Sequence, residues 1–269
     1  MKIPIDLRNK IKNKEVILFV GAGVSKNVGL PDFAELIDAM ASNLNIDSEL
    51  FKLYGDFWTL AEYYCLLKKD DKLTLFKRRL KNLWEKEEII QRIKDSNIYK
   101  RICDLGFPSI YTTNYDKCLE KAFAFQGQDY IKISNIEDMS KIKPTTTQII
   151  KYHGDIDSNK NDWVLTESSY FERLSFEHPL DIKFRADSLA KPVLFIGYSL
   201  NDMNIRYLLY KLTRAWVNVE SRPKSYIFLT QPNMVQEEVL KSWGIEAIIA
   251  PPDLEPSLSL EKFLKAINE

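Results

Sequence analysis

An α/β fold is predicted for this chain: a Rossmann-like, doubly wound, mostly parallel sheet in a single domain over 1–269, carrying an all-helical insert at about 35–105. Three observations predict it. Short apolar runs rich in Ile and Val recur at 15–20, 109–113, 148–152, 193–197, 225–229 and 246–250, near-continuous as in strands covered on both faces. Segments with helical periodicity separate most of them, and that alternation makes a parallel sheet. Glycine is scarce, nine in 269 residues, about half the ~7% of average usage. Gly21, Gly23, Gly29, Gly154 and Gly197 fall at the ends of strand-like runs, where an open α/β sheet binds its ligands.

The elements follow in order. After the first strand, Pro31 suits a first helical position, and Asp32 and Glu35 suit the positive end of the helix dipole. Phe33, Leu36, Ile37, Met40 and Leu44 form that helix's apolar stripe. Residues 53–67 are apolar on nearly every face, and 68–94 are amphipathic with a basic lean. Together they read as the helical insert. The basic lean reads as a solvated outer face before a nucleic-acid contact, and the aromatic face stays open between core and subunit interface. Leu119, Ala122 and Phe123 mark a short helix after Asp116, and 129–133 is one more candidate strand. Ile205, Leu208, Leu209, Leu212 and Trp216 make another stripe behind Asn201 and Asp202, which are placed to cap it. A proline-rich turn at 251–256 leads into a closing helix.

Composition narrows the function classes. Thirty-eight basic residues balance 38 acidic ones, so the whole-chain charge that draws nucleic acid or anionic membrane is missing. No apolar run approaches the ~20 residues of a membrane span, and the start has no apolar signal core. Cys65, Cys103 and Cys118 are odd in number and widely spaced, which gives no disulfide framework. A reducing cytoplasm is the expected home.

The stretch "EVILFVGAGVSKNVGLPDF" at 15–33 carries the first chemistry. Gly-Ala-Gly after a strand lets the backbone turn sharply and lets amides approach a phosphate. The dinucleotide pattern GxGxxG fails, because Lys26 stands where its third glycine belongs, and GxxxxGK[ST] fails as well. Taken alone, "GAG" is equally a structural turn.

The longer stretch resembles the cofactor loop of sirtuins, Gly-Ala-Gly-x-Ser followed by Gly-Ile-Pro-Asp-Phe-Arg. Three further blocks follow in the family's order: "TTNYD" at 112–116, "YHGD" at 152–155 and "GYSLND" at 197–202. The resemblance implies NAD as the ligand. Gly21, Ala22 and Gly23 would offer amides to its pyrophosphate and Ser25 a hydroxyl, with Asp32, Phe33 and Thr113 completing the cofactor loop's side. Asn114 would hold a ribose hydroxyl and an attacking water, Asp116 would accept from the nicotinamide carboxamide, and Gly197 and Ser199 would line the adenosine end. His153 is one of two histidines and suits proton transfer near neutrality. Each has a plainer reading. Asn114 can cap the following helix, His153 can be a core histidine, Asp32 can serve a helix dipole, and Asn201 and Asp202 can be caps. His178, before a proline, reads as structural, and the cysteines as core residues.

Two departures from the pattern matter. Residues 154–196 contain no cysteine, so the paired CxxC zinc ribbon of sirtuin deacylases has no ligands here. Ala34 stands where the deacylase loop has arginine. Without the zinc module the chain resembles the sirtuin-like domains of bacterial anti-phage defence systems. That implies an NAD glycohydrolase releasing nicotinamide and ADP-ribose, toxic when active, with NAD as substrate and no metal. Alternatives are an NAD-dependent deacylase or ADP-ribosyltransferase, and a non-catalytic NAD or ADP-ribose sensor. The resemblance also implies a homo-oligomer or hetero-complex and a separate activating subunit, such as an ATPase or an Argonaute-like protein. Only about 20 residues follow the last strand-like run, so the sensor is expected on another polypeptide.

Overall fold

The computed structural model describes residues 1–68, 71–158, 163–200, 202–216 and 222–269. Seven strands form one sheet: β1 (Ile17–Val20), β2 (Ser109–Thr112), β3 (Tyr130–Ile133), β4 (Thr147–Lys151), β5 (Val193–Ile196), β6 (Ser225–Leu229) and β7 (Ile245–Ile249). Their order is β3-β4-β2-β1-β5-β6-β7, and every pairing is parallel. The helices are α1 (Ile5–Lys12), α2 (Ala22–Lys26), α3 (Phe33–Leu44), α4 (Ser48–Lys52), α5 (Phe57–Lys68), α6 (Asp71–Trp84), α7 (Glu87–Asp95), α8 (Asn97–Leu105), α9 (Cys118–Phe125), α10 (Ile136–Met139), α11 (Glu167–Arg173), α12 (Pro179–Ala190), α13 (Met203–Ala215), α14 (Met234–Ser242) and α15 (Pro256–Asn268).

The strands β1 and β5 are apolar throughout because helices cover both faces. Successive side chains alternate between two cores, as the two-residue period of a strand requires. Leu18, Val20, Ile110, Leu194 and Ile196 face a core built with α1, α7, α8, α9 and α15. Ile17, Phe19, Tyr111, Val193 and Phe195 face the other, built with α12, α13 and α14. A third core gathers Leu36, Met40, Phe51, Leu60, Tyr64, Phe76 and Leu80 from α3–α6 and closes on Tyr115, Trp163 and Leu165. By contrast α7 and α8 bury Ile89, Ile93, Ile98 and Ile102 against the sheet. No strand falls within 35–105 among the described residues.

Helix entry differs from the sequence expectation in two places. Pro31 precedes the cap instead of opening α3: Asp32 is the N-cap and forms a capping box with Glu35. The helix after "TTNYD" begins at Cys118, and Asp116, not Asn114, takes the Cys118 amide at 2.9 Å. Asp202 caps α13 by accepting from the Ile205 amide at 3.1 Å, while Asn201 lies outside the described residues. His178 caps α12 through Nδ1.

Candidate active site

The strand order places the site. β1 has β2 on one side and β5 on the other, so the chain runs away from the sheet in opposite directions after β1 and β5. That reversal leaves a crevice at the strands' carboxyl ends. Register sets the depth: Val20 is level with Thr112 and Ile196, and Thr112 with Lys151. The residues one to six positions beyond these share one rim, and a cavity of about 1170 Å³ lies over them. That is somewhat above the ~300–1,000 Å³ of small-molecule sites. Ala22, Gly23, Asp32, Phe33, Thr113, Asn114, Asp116, His153, Gly197 and Ser199, all singled out from sequence, line it.

Gly21 and Ser25 do not. The three glycines of the β1 and β5 turns interlock: a Cβ on Gly21 would sit 2.3 Å from the Gly197 carbonyl oxygen, and one on Gly23 2.9 Å from it. Glycine is required here so that two loops can touch. The Gly21 amide donates to the Ile196 carbonyl at 3.0 Å and the Gly23 amide to Gly197 at 2.9 Å. The expectation that both amides face a pyrophosphate is corrected accordingly. Among the described residues no backbone carbonyl takes the Ala22 amide.

Ser25 is 2% exposed, which corrects its expected place beside a phosphate. Its Oγ donates to Asp116 Oδ2 at 2.7 Å and lies 3.0 Å from Asn114 Nδ2 and 3.3 Å from the Tyr99 hydroxyl. A hydroxyl has one proton and two lone pairs. With its proton on Asp116, Ser25 must accept from both neighbours. This fixes the Asn114 amide so that its NH₂ points at Ser25 and its carbonyl oxygen is left for the cleft. The Asn114 backbone amide, 3.0 Å from Thr112 Oγ1, pins the turn below. Asp116 places its two oxygens on Ser25 and the Cys118 amide and also lines the cavity. Lys151, 1% exposed, donates to the Asp116 carbonyl beneath.

His153 sits directly past β4 and is 3% exposed. Its carbonyl takes the Val164 amide at 2.9 Å. Burial, reinforced by the nearby Arg173 guanidinium, pushes its pKa well below the ordinary imidazole value. Arg173 is itself held by Asp181 and the Tyr152 carbonyl. Nε2 of His153 lies 3.3 Å from Asp202 Oδ2, outside hydrogen-bond geometry. Burial raises the Asp202 carboxyl to about 6, against the amides of Ile205 and Asn204 and the Tyr198 hydroxyl, which favour its charge.

Several lining residues carry no sequence motif. Phe33 meets Phe57 edge-on at 5.9 Å, Trp58 packs on Tyr170 at 5.4 Å, and Tyr170 is edge-on to His153 at 5.4 Å. The helical insert thus builds one wall of the cleft, where the sequence left the aromatic face of 53–67 open between core and subunit interface. At the far end Gln236 donates to the Ser199 carbonyl at 2.8 Å. On the rim, Lys26 pairs with Asp32 at 2.6 Å and Glu35 at 3.3 Å. Asp32 therefore spends its oxygens on Lys26 and the Glu35 amide. No group of three His, Cys, Asp or Glu able to hold a metal occurs among the described residues.

A family model described as a SIR2-like domain matches residues 108–248. The chain is 26% identical over 223 residues to the NAD(+) hydrolase ThsA of Bacillus cereus (strain MSX-D12), covering 81% of this chain and 44% of that protein. It is 27% identical over 221 residues to a protein of the same name from Enterococcus faecium, with 81% and 44% covered. It is 24% identical over 238 residues to Defense-associated sirtuin 2 of Bacillus subtilis, covering 87% of this chain and 23% of that one. The chain thus spans less than half the length of these relatives.

Proposed function

The chain belongs to the family of SIR2-like domains, and on that premise we propose that its cleft binds NAD and hydrolyses the bond between nicotinamide and ribose. Water adds to the ribose C1′, the glycosidic bond gives its electron pair to the cationic ring, and nicotinamide leaves neutral. ADP-ribose and one proton are the other products. The observation that carries this reading is the Asn114 amide, held through its NH₂ by Ser25 in the cavity that His153 also lines. An oriented acceptor holds a water or ribose hydroxyl in place, and neutral imidazole takes the proton as the bond to C1′ forms. The names of the relatives, NAD(+) hydrolase and Defense-associated sirtuin, support both the activity and a role in defence, which we take to be directed against phage. A deacylase reading finds less support, since residues 154–196 hold no cysteine for a zinc ribbon.

An NAD-consuming activity harms its host unless restrained, so the proposal includes activation by assembly or by a separate subunit. Leu53, Tyr54 and Leu66 of the insert, 81%, 70% and 68% exposed, supply apolar surface for such a contact. No described helix is long and apolar enough to cross a membrane. The test is nicotinamide release from NAD by the purified protein, alone and with the products of neighbouring genes. Release without any acylated acceptor, lost in Asn114→Ala and His153→Ala, supports hydrolysis. Release that requires an acylated peptide points to a deacylase.

A further inference from the structure

Asp202 caps a helix, as its position before an apolar stripe predicts, but capping uses one oxygen only. Oδ1 takes the Ile205 amide at 3.1 Å. Oδ2 is turned to His153 Nε2 at 3.3 Å, with the two side chains 9% and 3% exposed. Gly197 and Asp202 are five positions apart, and β5 is separated from β4 by β1 and β2. The β5 loop therefore crosses the ends of both intervening strands to bring a carboxylate to the imidazole. Tyr198 anchors that crossing on Phe19 at 4.9 Å.

We propose that Asp202 is a positioning residue for the hydrolysis: it holds the Nε2 side of His153 and carries the countercharge when the ring accepts a proton from the cleft. The proposal rests on the hydrolase reading above. Nε2 is sealed from solvent with no hydrogen-bond partner among the described residues, so the proton from the cleft enters through Nδ1. A buried imidazole is a poor base unless an anion waits beside it. The other groups facing Asp202 do not serve. Tyr115, Tyr152, Tyr170 and Tyr198 are phenols whose pKa values burial raises further. Arg173 on α11 is positive and committed to Asp181. Among the described residues Asp202 alone supplies negative charge at contact distance, and its carboxyl, raised to about 6, is ionised at neutral pH.

Asp202→Asn is the informative variant, because asparagine caps helices as well as aspartate and keeps the shape. Two readouts are needed. Nicotinamide release should fall about 10²–10⁴-fold in kcat, the span of a general base, with KM for NAD changed less than threefold. The chain has two histidines, so imidazole NMR resolves each, with His178→Asn giving the assignment. In Asp202→Asn the protonation constant of His153 should drop tenfold or more. An unchanged His153 titration, or an unchanged kcat, overturns the proposal. If the wild type releases no nicotinamide with any activator, the hydrolase reading fails, and the titration alone then decides the coupling.

Discussion

On the β2 side of the cleft every bonding position of Ser25 is filled: Asp116 takes its proton, and Asn114 and Tyr99 fill its lone pairs. On the β4 side His153 Nε2 has no hydrogen bond among the described residues, though a carboxylate lies 3.3 Å away. Both are buried, so the difference is not one of solvent. A saturated network holds a side chain in one orientation and resists change. An unsaturated pair keeps capacity for a proton. The comparison teaches a division of labour in which one wall positions and the other titrates.

The largest expected effects separate the two walls. Asn114→Ala and His153→Ala should each lower kcat by about 10²–10⁴-fold, but their pH profiles should differ. In the wild type kcat/KM should rise with pH through about 6 as Asp202 loses its proton and can support imidazolium. Asn114→Ala should keep that acid limb at lower amplitude, and His153→Ala should flatten it. Identical profiles would break the comparison.

Ser25→Ala comes next. It strips a partner from Asp116, Asn114 and Tyr99 together. Leaving buried polar groups unpaired costs about 1–3 kcal/mol, which urea unfolding will measure. Loss of the Asn114 orientation should also lower kcat by about 10–100-fold, although Ser25 does not line the cleft. An unchanged kcat would show that Asn114 needs no such hold.

Much of this was legible in the sequence, and the limits have physical causes. The inner strands were visible because strands buried on both faces are written as apolar runs, while the edge strand β3, only partly buried, read as no more than one further candidate. The blocks after β1, β2, β4 and β5 converge because parallel strands bring their carboxyl ends to one edge. Partner choice inside the site was not legible. Ser25 reads as a phosphate ligand until Asp116 and Tyr99, 91 and 74 residues away, are seen to occupy it. Asp202 reads as a cap because capping is local in sequence, whereas its contact with His153 depends on a loop crossing two strands. The glycine amides were misjudged for the same reason, since their acceptors lie on β5 and its turn.

The turn that joins the two walls can be tested by sterics alone. Gly21→Ala would drive a Cβ to 2.3 Å from the Gly197 carbonyl and 2.7 Å from the Tyr198 Cα, both backbone. Relief requires shifting the loop that carries Asp202, so the cost is of overpacking size, about 1–3 kcal/mol. Gly127→Ala is the reference: φ is +63° there, with nothing within 4 Å of the added atom, so its cost, about 1 kcal/mol, is of backbone origin only. Gly21→Ala should therefore be the less stable to urea and should lose activity, while Gly127→Ala keeps it.

The smallest effect is expected one residue from the Ser25 hub. Lys26 is half exposed, and its ion pairs with Asp32 and Glu35 lie on the cleft rim. Burial pushes the Asp32 carboxyl upward, but the Lys26 ammonium and the Glu35 amide overrule it and hold the group below the usual carboxylate range. A depressed carboxyl stabilises the fold above its unfolded pKa of about 3.9 and ceases to as pH falls through the folded value. Exposure screens the pair, so Lys26→Ala should cost under about 1 kcal/mol at pH 7 and low salt, and less in high salt. That difference should shrink as pH falls through the lowered folded value of Asp32, where the wild type loses a pair that the variant already lacks. Ser25→Ala measured alongside should keep its larger deficit in high salt, because its bonds are buried. If the two neighbours respond alike to salt, burial is not what distinguishes the hub from the rim.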